Sequence, residues 1–190
     1  MIWFDSHAHL QDADFDSDYS DVLRRAREAG VDMILLPGSD LADSTKALCL
    51  ANRHDFIRCS AGCHPHAASG FGQDGISRLR ELIDADPGRK IVAIGETGLD
   101  YHYDFSPRSV QQTVFKQQLD LAFASNLPLI IHEREATADC LAILARQAAS
   151  GRLRASPGVF HCFSGSRETA AALRSEERRV GKECTSRWSP

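Results

Sequence analysis

Two histidines near the start of the chain are spaced so that they could bind one metal ion. The segment Phe4-Asp5-Ser6-His7-Ala8-His9 ends a short apolar run that is typical of a buried strand. Because side chains alternate between the two faces of a strand, His7 and His9 should point the same way, with Cα atoms about 6.6 Å apart. Imidazole is a common ligand of zinc and similar metals. Since a lone His-x-His is more often a surface pair, this prediction depends on further ligands.

Later apolar runs end in the same kinds of residue. These are His64 and His66, Glu96, His132, and His161. A carboxylate that leaves an apolar strand is costly to bury unless it is bound to a metal or, as the alternative for Glu96, paired with a lysine or arginine. Together these side chains could hold two divalent cations, with Glu96 as the bridge. Such a pair of metals clamps a phosphate and activates a water for in-line attack.

Strand and helix patterns alternate along most of the chain. Apolar, β-rich runs occupy residues 2–4, 31–36, 56–61, 90–94, 129–131 and 159–160. Helical patterns with 3.6-residue periodicity occupy residues 19–29, 43–52, 76–83, 110–124 and 137–149. A strand followed by a helix, repeated at about thirty residues, predicts βαβ units and a parallel sheet.

Two α/β architectures fit this alternation: an open doubly wound sheet and a (β/α)₈ barrel. The glycine-rich first turn of a dinucleotide-binding sheet is absent, and two histidines stand in its place. A barrel brings the carboxyl ends of all its strands to one shared site, whereas an open sheet would spread these histidines along a line. The sequence therefore predicts a barrel. Six βα units are visible, and a closed barrel needs eight.

Composition narrows the class of protein further. The 190 residues are 43% hydrophobic and carry a formal net charge of −4, which argues against a broad basic surface for duplex nucleic acid. No apolar run is long enough to span a membrane, and no signal-peptide pattern occurs. Six scattered cysteines indicate thiols in a reducing compartment, so we expect a cytoplasmic protein. Cys49, Cys59, Cys140 and Cys162 are interpreted as buried, small apolar residues.

Five short motifs together resemble the TatD family. They are FDSHAHL at 4–10, GCHPH at 62–66, GETGLDYH at 95–102, IHEREA at 131–136 and HCFSG at 161–165. Each motif alone would be weak, but their order and spacing resemble the family over residues 1–173. The resemblance implies a TIM-type (β/α)₈ barrel of the metal-dependent hydrolase kind, here truncated to about six βα units.

The resemblance also implies an activity and a site. The activity is divalent-metal-dependent hydrolysis of phosphodiester bonds by a metal-activated water, as in a DNase or exonuclease. Its implied metal ligands are His7, His9, Glu96, His132 and His161, with Glu96 shared between two cations (magnesium, manganese or zinc) and acting as the catalytic residue. The implied substrate-binding residues are His64, His66, Asp100, Tyr101 and Arg134. DNA or a short nucleic acid is the expected partner, no membrane is expected, and no protein partner can be inferred.

Some residues depart from the family pattern. Cys63 stands where an aliphatic residue is usual and Glu133 where a small residue is common, and the aspartate of the family's last strand has no counterpart. Residues 174–190 resemble the translation of a sequencing adapter. We therefore expect residues 1–173 to form an incomplete barrel domain and residues 174–190 a non-native tail. The alternatives are a related barrel hydrolase acting on another ester or amide, and an inactive fragment.

Overall fold

The computed structural model of the chain describes residues 2–154 and 156–180, and within these ranges six strands alternate with six helices. The strands are β1 (Trp3–Asp5), β2 (Val31–Leu36), β3 (Ile57–Ala61), β4 (Ile91–Asp100), β5 (Leu129–Arg134) and β6 (Gly158–Phe160). The helices are α1 (Tyr19–Glu28), α2 (Leu41–Arg53), α3 (Gly75–Asp84), α4 (Arg108–Ser125), α5 (Thr137–Ala149) and α6 (Arg167–Val180). A 3₁₀ helix, Pro65–Gly70, follows β3.

The strands form one sheet whose spatial order is the order along the chain, from β1 to β6. Every neighbouring pair is parallel. A doubly wound sheet reverses its strand order at a switch point, and the described strands show no reversal. Because parallel crossovers are right-handed, steps in one direction put the helices on one outer face. The strands thus form a curled half of a (β/α) barrel, and the predicted fold class is confirmed.

Strand β4 is longer than the sequence pattern predicted. The apolar run covers residues 90–94, but the strand continues to Asp100 and pairs Gly98 with His132 of β5. The reason is that β5 also extends beyond its apolar run, so the two strands keep pairing after a shift in register. As a result, Glu96 lies within the sheet instead of in the loop that follows it.

The hydrophobic core lies between the sheet and its outer helices. Its largest fully buried apolar side chains are Ile34, Leu36, Ile57, Leu79, Ile94, Leu99, Phe115, Leu119 and Leu121. Helix α4 contributes three of them, and it packs closely on β4, the strand that carries Glu96. This packing makes β4 the best-supported strand of the half-barrel.

Two of the cysteine predictions are confirmed and two are wrong. Cys59 and Cys140 are buried, as expected of small apolar residues. Cys49 and Cys162 are exposed, because Cys49 lies on the solvent side of α2 and Cys162 lies in the loop after β6.

The two outer strands of the half-barrel carry exposed apolar side chains. Ile2, Trp3 and Phe4 at β1 are 80%, 54% and 56% exposed, and Val159 on β6 is 49% exposed. Within the described residues, β1 pairs only with β2 and β6 only with β5. Among the described strands the sheet is therefore open, with exposed apolar side chains at both edges.

Helix α6 overlaps the start of the predicted non-native tail. It runs without interruption from Arg167 to Val180 and so crosses the expected boundary after Leu173. Residues 181–190 lie outside the described residues, and the division of the chain at residue 173 stays a prediction. Among the helices that the structure describes, none has both the length and the apolar character that a membrane span requires.

Candidate metal centre

The carboxyl ends of the strands bring the predicted site residues to one end of the sheet. His7 and His9 follow β1, His64 and His66 follow β3, and His161 follows β6. The alternation predicted for the first pair continues past the end of β1, because the Ala8 amide donates to the Leu35 carbonyl at 3.0 Å. The two histidines on either side of this hydrogen bond therefore face the same way.

Glu96 is at the centre of the cluster, and five histidine nitrogens surround its carboxylate. In order of distance they belong to His161 (Nε2, 2.5 Å), His7 (Nε2, 3.2 Å), His132 (Nδ1, 3.3 Å), His64 (Nε2, 3.8 Å) and His9 (Nε2, 3.9 Å). The side chain of Glu96 is only 5% exposed. Among the described residues, no lysine or arginine forms an ion pair with it, so the alternative of a structural Lys/Arg pair is wrong.

The cluster keeps Glu96 ionised. Burial alone would raise the pKa of this carboxyl, but hydrogen bonds from His132, His161 and His7 hold the pKa well below its usual range. A buried carboxylate that stays charged is a strong ligand for a cation.

Two of the histidines are held in the neutral form that binds metals. Burial, followed by the nearby charge of His132, lowers the pKa of His64 to about 3. Burial and the proximity of His7 also lower the pKa of His9. The pKa of His132 is instead raised, because its hydrogen bonds to Glu96 and Asp100 outweigh the effect of burial.

The residues present fit divalent cations. Donor atoms of His7, His9 and Glu96 lie within 4.8 Å of one another, and so do those of a second set formed by His64, Glu96 and His132. In addition, Nδ1 of His7 is buried without a hydrogen-bond partner among the described residues. Glu96 belongs to both sets, as expected of a bridging ligand. Nitrogen and carboxylate donors suit zinc, manganese and related ions.

The second set differs in one member from the set that the resemblance implied. His161, the implied ligand, is closest to Glu96 and lies 3.2 Å from Nδ1 of His132. His64, which was assigned to substrate binding, lies as close to the cluster as His9 does. The structure thus raises a second role for His64, as a ligand of the second cation, beside the predicted role in substrate binding.

A comparison of His64→Ala with His161→Ala tests this point. We expect His161→Ala to weaken metal binding about tenfold to 100-fold, the range found when groups that support a metal site are removed. His64→Ala should weaken it less and act mainly on KM. Zinc titration by calorimetry measures the metal affinity of both variants, and a hydrolysis assay gives their KM, with His54→Ala, outside the cluster, as the matched control. Equal losses of affinity in the two variants would make His64 a ligand.

Asp100 is a buried carboxylate that contacts two histidines of the site. It was assigned to substrate binding, but it is fully buried, and its Oδ2 contacts Nε2 of His66 at 2.9 Å and Nε2 of His132 at 3.0 Å. Burial would raise its pKa, but hydrogen bonds from the Tyr103 amide and from these two histidines lower it to about 2. A carboxylate on the far nitrogen of a ligand histidine fixes the orientation of the ring.

The structure does not bring Tyr101 to the cluster. Its hydroxyl donates to Asp139 at 2.7 Å, and the Arg108 guanidinium lies 4.4 Å from the centre of its ring. The ring therefore packs between β4 and the outer helices, because successive residues of a strand face opposite sides of the sheet. Arg134 is exposed at the end of β5, with its guanidinium 4.8 Å from the ring centre of Tyr103.

Two buried glutamines on α4 position the site, and sequence analysis missed them. Gln118 accepts from the Cys63 amide at 2.8 Å and donates to the Cys63 carbonyl at 2.9 Å. Gln111 makes the same pair of contacts to the backbone of Asp100, at 2.8 and 2.9 Å. Gln118 thus fixes the backbone next to His64, and Gln111 fixes the backbone of Asp100 itself. The one signal in the sequence was their position on the apolar face of α4.

Replacing Gln118 by leucine should destabilise the protein. The change leaves the amide and the carbonyl of Cys63 buried without partners, at a cost of about 2–4 kcal/mol in the free energy of unfolding. Urea denaturation measures this cost. Gln117→Leu, at an exposed position of the same helix, is the control and should change the midpoint little. A similar small change in both variants would show that Gln118 does not support the loop.

A half-barrel of parallel strands with a histidine and glutamate cluster at their carboxyl ends is typical of barrel-type metal-dependent hydrolases. Comparison with known proteins gives the family: the chain belongs to the TatD related DNase family, whose sequence model matches residues 4–181.

Individual relatives agree with this assignment. The chain is 41% identical over 167 residues to the uncharacterized metal-dependent hydrolase YabD of Bacillus subtilis, covering 88% of this chain and 63% of YabD. It is 39% identical over 168 residues to the 3'-5' ssDNA/RNA exonuclease TatD of Cronobacter turicensis, and the match covers 88% of this chain and 61% of that exonuclease. The crystal structure of YJJV, a TatD homolog from Escherichia coli, superimposes with a TM-score of 0.81 at 29% identity. The superposition covers 92% of this chain and 65% of YJJV. The chain thus spans less than two thirds of the length of these relatives.

Proposed function

We propose that this chain is the metal-binding part of a cytoplasmic phosphodiesterase that removes nucleotides from the ends of single-stranded nucleic acid. The observation that carries the proposal is the buried Glu96 carboxylate, which two sets of ligand atoms share. Two cations held a few ångströms apart are a common device for cleaving phosphodiester bonds. The exonuclease named TatD, to which the chain is 39% identical, supports nucleic acid as the substrate.

Each part of the cluster has its own task in this proposal. His7, His9 and Glu96 would hold one cation, and Glu96, His132 and His161, with His64 beside them, would hold the second. When bound there, such cations would supply Lewis-acid chemistry and would lower the pKa of a water. Asp100 keeps His132 in the ring orientation that presents Nδ1 to Glu96. Burial of Glu96 limits the access of bulk water and so strengthens the electrostatic interactions inside the site.

Arg134 and His66 are proposed to contact the substrate. Among the described residues, the Arg134 guanidinium has no carboxylate partner at ion-pair distance. Its planar fork can therefore donate two hydrogen bonds to a phosphate. The side chain of His66 is 31% exposed, and it contacts Asp100 at the border of the cluster. It can therefore reach a nucleic-acid strand bound at the site.

Hydrolysis assays test the proposed reaction. The chain is incubated with a single-stranded oligonucleotide labelled at one end, with added manganese, magnesium or zinc, and in parallel with EDTA. Release of mononucleotides that EDTA abolishes supports the proposal. Turnover of model esters or amides without release of nucleotides would contradict it and favour a hydrolase for another substrate. Cation binding without any turnover would identify the chain as an inactive fragment.

A further inference from the structure

Two exposed aromatic rings lie in the loop between β4 and α4. Tyr103 and Phe105 are 48% and 66% exposed, and their rings are stacked, with centroids 5.3 Å apart and planes inclined by 9°. Apolar surface of this kind is costly to leave in water, and these rings support no core element. We call the pair the aromatic platform.

The aromatic platform lies beside the metal cluster. The ring of His66 meets Phe105 edge to face at a centroid distance of 4.8 Å and Tyr103 at 5.6 Å. The same histidine contacts Asp100, which in turn contacts His132 of the cluster. A group resting on the platform would therefore lie near the histidine cluster around Glu96.

Several hydrogen bonds fix the loop that carries the platform. Oδ1 of Asp100 accepts from the amides of His102 and Tyr103 at 3.0 and 3.1 Å. The hydroxyl of Ser106, a fully buried residue, donates to the His66 carbonyl at 2.9 Å and accepts from the Ser69 amide at 3.0 Å. The rings are thus held in place before any ligand binds, which lowers the entropy lost on binding.

Positive charge lies next to the rings. The guanidinium of Arg134 lies over Tyr103, 4.8 Å from the ring centre. The nearby acidic groups are already paired, Asp104 with Arg108 at 3.0 Å and Glu135 with His102 at 2.7 Å. The patch therefore combines flat apolar faces with one cation, the combination that proteins use to bind single-stranded nucleic acid.

We propose that the aromatic platform stacks a nucleobase of the single-stranded substrate while Arg134 contacts the adjoining phosphate. The inference rests on the proposed function and adds the residues that hold the strand. Every nucleobase has a flat face, so stacking here favours single strands with little preference for sequence. Duplex DNA, whose bases are already stacked on one another, should bind less well.

Binding measurements with the full chain test the platform separately from the reaction. Fluorescence anisotropy in EDTA compares a labelled oligothymidylate with a base-free strand of the same length. The chain should bind the base-bearing strand about tenfold or more tightly, the size of effect that one stacked base gives. Phe105→Leu should lose most of that preference, Phe105→Trp should keep it, and Tyr103→Leu should reduce it.

A matched control and an independent readout complete the experiment. Phe123 on α4 is 46% exposed and lies outside the platform, so Phe123→Leu should bind both strands as the wild type does. Equal binding of the two strands by the wild type, or an unchanged preference in Phe105→Leu, overturns the inference. So does a change in oligomeric state caused by Phe105→Leu, because the rings would then be a contact between copies. If metal-dependent cleavage of bis(p-nitrophenyl) phosphate by the wild type is absent while base preference persists, the proposed reaction fails and the platform stands.

Discussion

Replacing Glu96 by glutamine is expected to remove metal binding and, with it, hydrolysis. Glutamine has nearly the same shape as glutamate, but it carries no charge. Its NH₂ group would also replace one of the carboxylate oxygens that the histidine nitrogens now contact. Because both candidate ligand sets contain Glu96, one substitution weakens both. We expect a loss of metal affinity of at least about 100-fold, the upper end of the range for groups that support a metal site. Calorimetric titration with zinc or manganese measures it without requiring turnover.

The control for this variant is Glu135→Gln, which removes the same charge outside the cluster. Glu135 is exposed and pairs with His102, so its loss should leave metal affinity within about twofold, as for most changes at surface ion pairs. Retention of two bound cations by Glu96→Gln would show that the histidines alone hold the metals. In that case Glu96 would not be the bridge.

A second large effect is expected from Gly98→Ala, this time on stability. Gly98 has φ +139°, a conformation that side chains rarely adopt, and a Cβ built there would clash with the carbonyl oxygen of its neighbour His132. The clash is with backbone, so a rotamer change cannot relieve it. We expect a loss of about 3 kcal/mol or more in the free energy of unfolding, from strain and overpacking together. Because the contact is with His132, metal affinity should also fall.

Gly70→Ala is the matched control for this substitution. A Cβ built at Gly70 would have no atom within 4 Å, and the φ angle of Gly70 is not positive. Alanine there should change stability by less than about 0.5 kcal/mol, as most surface substitutions do. Urea denaturation of the two variants gives the comparison. If Gly98→Ala unfolds at the same urea concentration as the wild type, β4 and β5 do not pair as described.

The alternation of strand and helix patterns, with histidines at the strand ends, was enough to predict the fold class and the place of the cluster. Parallel strands bring their carboxyl ends together whatever their exact bounds, so His7, Glu96 and His132 could be placed without knowing where each strand ends. The extent of β4 could not be predicted, because Gly95 and Gly98 are typical of a strand's end. They continue the strand only because β5 accepts their unusual conformations.

The roles of individual polar residues were harder to predict. The contacts from Gln118 to Cys63 cross 55 positions of the chain, and no local pattern indicates such a pair. Asp100 and Tyr101 are adjacent in one motif, but alternation along the strand sends one to the cluster and the other to Asp139. A resemblance to a family carries over residue types, whereas the face on which each lies depends on the local strand geometry.

The order of the strands has a consequence for how the chain folds during its synthesis. Each strand packs on the strand made just before it, so each loop to be closed is short and costs little entropy. A ribosome adds the roughly thirty residues of one βα unit in a few seconds, whereas elementary folding events take microseconds to milliseconds. Every unit therefore has time to dock before the next emerges. His7 and His9 must wait for Glu96, on the order of ten seconds at the same rate. Once β4 docks, the nascent chain already contains all three candidate ligands of the first proposed cation.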